Sequence, residues 1–151
     1  MIFASNNHIG LIKKENQDQI KYTKTNNGSL FIVCDGLGGL PNGGIASKLC
    51  IDNIPSYFAG EIQNPEDIIK KSILNAHKII TKYSSQMIGS TLALTYIENN
   101  SVFAAWCGDS RIYHIRNKDI IWMSRDHTVL HDILNRGLGE KKHLQSPNAI
   151  T

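Results

Sequence analysis

At 151 residues the chain has the length of one domain with a sizeable core. Hydrophobic residues make up 41% and charged residues 19%, the proportions of a globular domain rather than of a disordered or fibrous chain. The net charge of +3 comes from scattered residues and short pairs such as Lys13-Lys14, Lys70-Lys71 and Lys141-Lys142, which argues against a nucleic-acid partner, and no apolar run has the length of a membrane span.

The opening Met1-Ile2-Phe3-Ala4-Ser5 has neither the charge nor the length of a signal peptide, so a cytoplasmic protein is expected. From Asp18 to Thr23 polar and apolar residues alternate, and Asn26-Asn27-Gly28 supplies a turn into Leu30-Phe31-Ile32-Val33-Cys34. That apolar run is expected to be a strand buried on both faces. A hairpin of these two strands carries an acid at each end away from the turn, so Asp18 and Asp35 should approach one another. Gly44 to Phe58 reads as a helix whose later part Pro55 should end or kink.

Asn64-Pro65-Glu66-Asp67 opens a second helix, with a capping residue, a proline at the first helical position and two acids in the first turn. Ile69, Ile73, Ala76, Ile80 and Tyr83 then form its core stripe, with His77 a packing or surface residue. Two hairpins follow, Thr91–Ile97 with Val102–Cys107 around Asn99-Asn100, and Ile112–Ile115 with Ile120–Met123 around Asn117-Lys118-Asp119. Thr128 caps a last helix from Val129 to Arg136 that ends at Gly137. Helices combined with an antiparallel meander indicate an α+β fold without internal repeats. Cys34, Cys50 and Cys107 sit in apolar contexts without C-x-x-C spacing and are expected to be buried, reduced thiols.

The run Asp35-Gly36-Leu37-Gly38-Gly39-Leu40-Pro41-Asn42-Gly43-Gly44 carries the chemistry. It sets a carboxylate at the exit of an apolar strand and then frees the backbone. An acid there needs a counter-charge, and the glycines let carbonyl oxygens turn towards a hard cation. A dinucleotide fingerprint fails because Pro41 stands where its last glycine belongs, and a P-loop fails because Gly44 and Ile45 follow Gly43 in place of Lys and Ser or Thr. The six histidines are scattered, and none lies at zinc-ligand spacing with another ligand.

Several segments together, in this order, resemble the type-2C (PPM) metal-dependent Ser/Thr protein phosphatases in their compact bacterial form. Gly10 to Asp18, with Lys13 and then Asn16-Gln17-Asp18, looks like the opening motif of an Arg followed by Asn-Glu-Asp or Asn-Gln-Asp. Asp35-Gly36-Leu37-Gly38-Gly39 is similar to Asp-Gly-Met-Gly-Gly, and Gly43-Gly44-Ile45-Ala46-Ser47 to Gly-Gly-Glu-Ala-Ser. Gly89-Ser90-Thr91, Gly108-Asp109-Ser110-Arg111-Ile112-Tyr113 and Asp126-His127-Thr128 resemble three later motifs. The match runs over nearly the whole of residues 1–151, read as one truncated domain, but covers roughly the first three-fifths of a family domain of about 200–250 residues.

The resemblance implies a β-sandwich of two antiparallel sheets flanked by helices, C-terminally incomplete. It implies hydrolysis of phosphoserine and phosphothreonine in proteins, with a Ser/Thr kinase system as counterpart. Two Mn²⁺ or Mg²⁺ ions, with a third in bacterial members, would activate a bridging water and clamp the phosphoryl group. Residue by residue, Asp35 would bridge both metals, Gly36 would ligate one through its carbonyl, and Asp18 would act at the second directly or through water. Asp109 resembles the acid at the third metal, an alternative being that it caps the backbone of its own turn. Ser110 and Arg111 would lock that turn, and Asp126-His127 would orient a loop.

Lys13 aligns with the Arg that grips the substrate phosphate and, as a point charge, cannot make the bidentate fork. Leu37 replaces Met, Leu40 stands where many bacterial members have His, and Ile45 stands in place of an acid. Two more aspartates of the family's C-terminal portion have no counterpart here, so little turnover is expected of this chain alone. The alternatives are an inactive pseudophosphatase fragment that binds phosphoproteins or a partner, and an unrelated metal-binding module.

Overall fold

The computed structural model describes residues 1–13, 15–37, 43–84 and 87–128. Strands β1 (Asp18–Lys24) and β2 (Gly28–Asp35) form the first hairpin. Helix α1 (Gly43–Asn53) runs into a 3-10 helix at Ile54–Phe58, and α2 (Pro65–Tyr83) follows. Strands β3 (Leu92–Glu98), β4 (Ser101–Cys107), β5 (Tyr113–Arg116) and β6 (Asp119–Met123) complete the described fold.

The first four strands make an antiparallel sheet in the order β1-β2-β3-β4, and β5-β6 make a separate two-stranded sheet. This is an α+β fold with two antiparallel sheets and helices.

The local chemistry explains where the elements stop. Pro55 lacks the N–H that an α-helix would need, and the chain tightens into the 3-10 turn just before it. Asn64 caps α2 by accepting the Asp67 N–H at 3.2 Å, and Pro65 starts the helix with its φ already set. Replacing Asn64 with Ala is expected to cost about 1 kcal/mol, read as a lower midpoint in urea unfolding. Asn117 and Lys118 both adopt positive φ, 52° and 73°, the pair of conformations that lets a two-residue turn follow strand twist.

One face of the four-stranded sheet carries the core. Leu30, Ile32 and Cys34 of β2 and Leu92, Leu94 and Tyr96 of β3 meet Ala46, Cys50, Ile54, Phe58, Ile69, Ala76 and Ile80 from the helical layer. Phe31 and Val33 point to the opposite face, where Val33 is 41% exposed, so the expectation of a strand buried on both faces is corrected. The apolar run is continuous in sequence, but among the described residues only the helix-facing side of the sheet has a full layer against it.

Two further core assignments fail, both at the ends of elements. Tyr83, the last residue of α2, is 56% exposed, so the core stripe stops at Ile80 one turn earlier. Cys107 ends the edge strand β4 and is exposed, whereas Cys34 and Cys50 are buried free thiols in contact with each other. His77 is exposed, as expected of a surface residue. The helix expected from Val129 to Arg136 lies outside the described residues, and no described helix is long and apolar enough to cross a membrane.

Candidate active site

The β1-β2 register places Asp18 directly opposite Asp35, at the sheet end farthest from the turn. Gln17 holds this end together, because its carbonyl accepts the Gly36 N–H at 3.1 Å and the buried Ser47 hydroxyl at 2.6 Å. The first bond ties the strands beyond their last paired residues. The second fastens helix α1 to the loop that leads into Asp18. On the other side, Asn16 accepts the Asp18 N–H at 3.0 Å, and Asn7 both donates to the Asp18 carbonyl at 3.2 Å and bonds the Asn16 side chain.

Both acids are half-buried, and their proximity is electrostatically costly. Burial raises the Asp35 carboxyl to about 6; a hydrogen bond with Asp18, the Asp18 charge and the Asp109 charge push the same way, against the pull of Lys13. Asp18, Asp109 and Lys13 therefore all act on the Asp35 carboxylate, although Asp109 lies far from the other two along the chain. Asp109 and Lys13 are themselves exposed. Among the described residues, no three His, Cys, Asp or Glu side chains close into a cluster of metal-binding size.

The backbone around Gly36 has no spare room. A Cβ there would fall on the carbonyl group of Gly43, and one on Gly43 would lie 2.7 Å from the Leu37 carbonyl. Leu37 N–H in turn donates to Gly89 at 3.0 Å, with Gly89 pressed against the Leu37 side chain. Gly36→Ala is thus expected to destabilise the fold by about 1–3 kcal/mol and to displace the Asp35 strand end. Thermal melting would show the first effect, and the NMR shift of the Asp35 carboxyl the second.

The Asp109 turn is braced from two directions. Arg111 makes a bidentate pair with Asp126 at 2.7 and 2.5 Å, and this carboxylate and the Tyr113 hydroxyl raise the guanidinium's already high pKa. His127 N–H donates to the Gly108 carbonyl at 2.9 Å, while Ser124 and Ile112 exchange bonds of 2.9 Å each. Ser110 lies 2.6 Å from the Thr91 hydroxyl. Ser110 and Arg111 do lock the turn, and Asp126-His127 does orient a loop, as expected.

The sequence reading took Gly89-Ser90-Thr91 as a motif leading into the strand from Thr91 and missed its contacts with Asp35. Thr91 and Ser90 together engage both backbone polar groups of that residue. The signal available was a pair of hydroxyl residues just outside an apolar strand, where side chains substitute for ladder bonds. Leu40, expected in place of a His, lies outside the described residues.

Comparison with known proteins bears on the fold and the family. The family model described as Protein phosphatase 2C matches residues 4–132. A provisionally named protein phosphatase of Mycoplasma genitalium is 30% identical, across 97% of this chain and 65% of its own length. The serine/threonine phosphatase stp of Listeria welshimeri is 28% identical, across 85% of this chain and 55% of its own length.

Among solved structures, a bacterial serine phosphatase superposes with a TM-score of 0.82 at 25% identity, over 97% of this chain and 64% of that one. The catalytic domain of the phosphatase PstP, in complex with two manganese ions, shares the fold with a TM-score of 0.72 at 20% identity, over 92% of this chain and 61% of that one. The chain thus spans less than two thirds of the length of these relatives. With its matched region extending over most of the sequence, it belongs to the protein phosphatase 2C family.

Proposed function

We propose that residues 1–151 are part of a cytoplasmic, metal-dependent Ser/Thr protein phosphatase domain whose substrates are phosphoproteins made by a Ser/Thr kinase system. The observation that carries the reading is the pairing of Asp18 with Asp35, which concentrates negative charge at a glycine-lined strand end. Such a donor set is all oxygen and suits Mg²⁺ or Mn²⁺. Burial first, and then the neighbouring carboxylates, raise the Asp35 carboxyl, and a dication at this strand end would offset both. The buried free thiols Cys34 and Cys50 support a reducing compartment.

In this reading Asp18, Asp35 and the Gly36 carbonyl hold two divalent ions, and Asp109 serves a third. The ions would supply positive charge for the phosphoryl oxygens and acidify water at neutral pH. Asp35 orients the centre because its backbone is bonded on both sides, to Thr91 and, through Gly36, to Gln17. Lys13 stands near enough to Asp35 to be felt electrostatically, which supports a role in drawing the phosphate dianion to the site as a single point charge. Glycines at 36 and 43 let the segment after Asp35 and the start of α1 approach more closely than side chains would allow.

Mn²⁺ titration followed by electron paramagnetic resonance tests the assignment. Saturable binding by the wild type that disappears in Asp35→Asn supports it, and equal binding by both proteins overturns it. Hydrolysis of p-nitrophenyl phosphate by the chain alone is expected to stay near background. A chimaera completed with the C-terminal third of the Mycoplasma genitalium relative is expected to gain Mn²⁺-dependent turnover.

A further inference from the structure

Thr91, 2% exposed, sits between Asp35 and the turn that carries Asp109, just beyond the last regular rung of β2 and β3. Its N–H donates to the Asp35 carbonyl at 2.8 Å, as a ladder bond would. The return bond differs. Asp35 N–H donates to the Thr91 hydroxyl at 2.9 Å. The same hydroxyl lies 2.6 Å from the hydroxyl of Ser110, the residue after Asp109.

Contact on the carbon side reinforces this. A Cβ on Gly108 would come 2.8 Å from the Thr91 methyl, and Gly108 has a φ of +92°, so the turn lies directly on the Thr91 side chain. Ser90 adds a bond from its hydroxyl to the Asp35 carbonyl at 3.1 Å.

We infer that Thr91 is a positioning residue of the site: its single hydroxyl holds the backbone of Asp35 and, through Ser110, the turn that carries Asp109, so the two acids keep one relative placement. The inference rests on the metal-dependent reading above. A hydroxyl offers one proton and two lone pairs. Asp35 N–H takes a lone pair, and Ser110 takes the proton or the other lone pair. Valine has the same shape and neither capacity, so Thr91→Val breaks both links without opening a cavity, while Thr91→Ser keeps the hydroxyl.

Two measurements on the purified chain decide the matter: amide hydrogen exchange of Asp35 against Ile32 in the middle of β2, and Mn²⁺ affinity by calorimetry. Thr91→Val is expected to speed Asp35 exchange about tenfold relative to Ile32, and to weaken Mn²⁺ binding by about 10–100-fold. Thr91→Ser should restore both. The inference is overturned if Thr91→Val leaves the Asp35 exchange unchanged, or speeds Asp35 and Ile32 by the same factor, or if Thr91→Ser is as impaired as Thr91→Val. Loss of Mn²⁺ binding in Asp35→Asn with unchanged affinity in Thr91→Val removes the role of Thr91 alone. Unchanged affinity in Asp35→Asn overturns the metal reading itself, and with it the claim that Thr91 serves that site.

Discussion

Asp35→Asn is expected to make the metal-free protein more stable at neutral pH while abolishing its response to Mn²⁺. The sign follows from the direction of the shift. The folded-state carboxyl titrates near 6, above its ordinary 3.8, so the folded state holds its proton more tightly than the unfolded one. Stability contributed by the protonated form is complete below about pH 4 and is lost as the pH rises to about 6. At pH 7 the charged carboxylate is therefore a net cost.

Discounted for the solvent that reaches a half-buried group, the cost is about 1 kcal/mol, or about 2–4 °C in Tm for a chain of this length. The variant should melt higher by that amount at pH 7 and lose the pH dependence between 4 and 6. With Mn²⁺ at a hundred times its Kd, the wild type should gain about 2.7 kcal/mol and overtake the variant. Thermal melts at pH 4.5 and 7.5, with and without Mn²⁺, measure all four quantities. A variant less stable than the wild type in metal-free buffer at pH 7.5 would show that Asp35 serves the fold and not a cation.

Tyr96→Ala is the second large effect, and it acts on the scaffold. The Tyr96 ring is fully buried on β3, 5.2 Å from the Phe58 ring and 6.3 Å from that of Phe103. It also packs where a Gly28 Cβ would have to go, so it joins both central strands to the 3-10 helix. Removing a buried aromatic of this kind costs about 3–5 kcal/mol, against a total stability of about 5–15 kcal/mol for an ordinary domain. Loss of the cooperative urea transition or of near-ultraviolet circular dichroism is the expected result. Tyr96→Phe should retain cooperative folding, since among the described residues its hydroxyl has only a long 3.5 Å contact with Thr25. A Tyr96→Ala protein with an unchanged urea midpoint would show that the helices are held to the sheet by other contacts.

Much of this architecture was legible before any coordinates, because its signals are local. Asn64-Pro65 announced the start of α2, and Asn99-Asn100 and Asn117-Lys118-Asp119 announced hairpins that the positive φ at Asn99, Asn117 and Lys118 bear out, although Asp119 itself already belongs to β6. Even the convergence of Asp18 and Asp35 could be deduced, since a hairpin with an acid at each open end has one register that pairs them. Burial was less legible. The apolar run of β2 and the stripe ending at Tyr83 are equally hydrophobic whether or not a second layer covers them.

By itself, then, the sequence determined the α+β class, the phosphatase 2C resemblance and the pairing of two carboxylates, all of which depend on spacing within short segments. Tertiary structure alone decided that Thr91, 56 residues beyond Asp35, holds that residue's N–H. It also decided that Arg111 and Asp126 brace the Asp109 turn as a pair, and that, among the described residues, β2 has one fully covered face rather than two. The physical reason is that hydrogen-bond partners and burial belong to pairs of surfaces. A chain read one residue at a time shows which groups need a partner, and only the packed molecule shows which partner each one has.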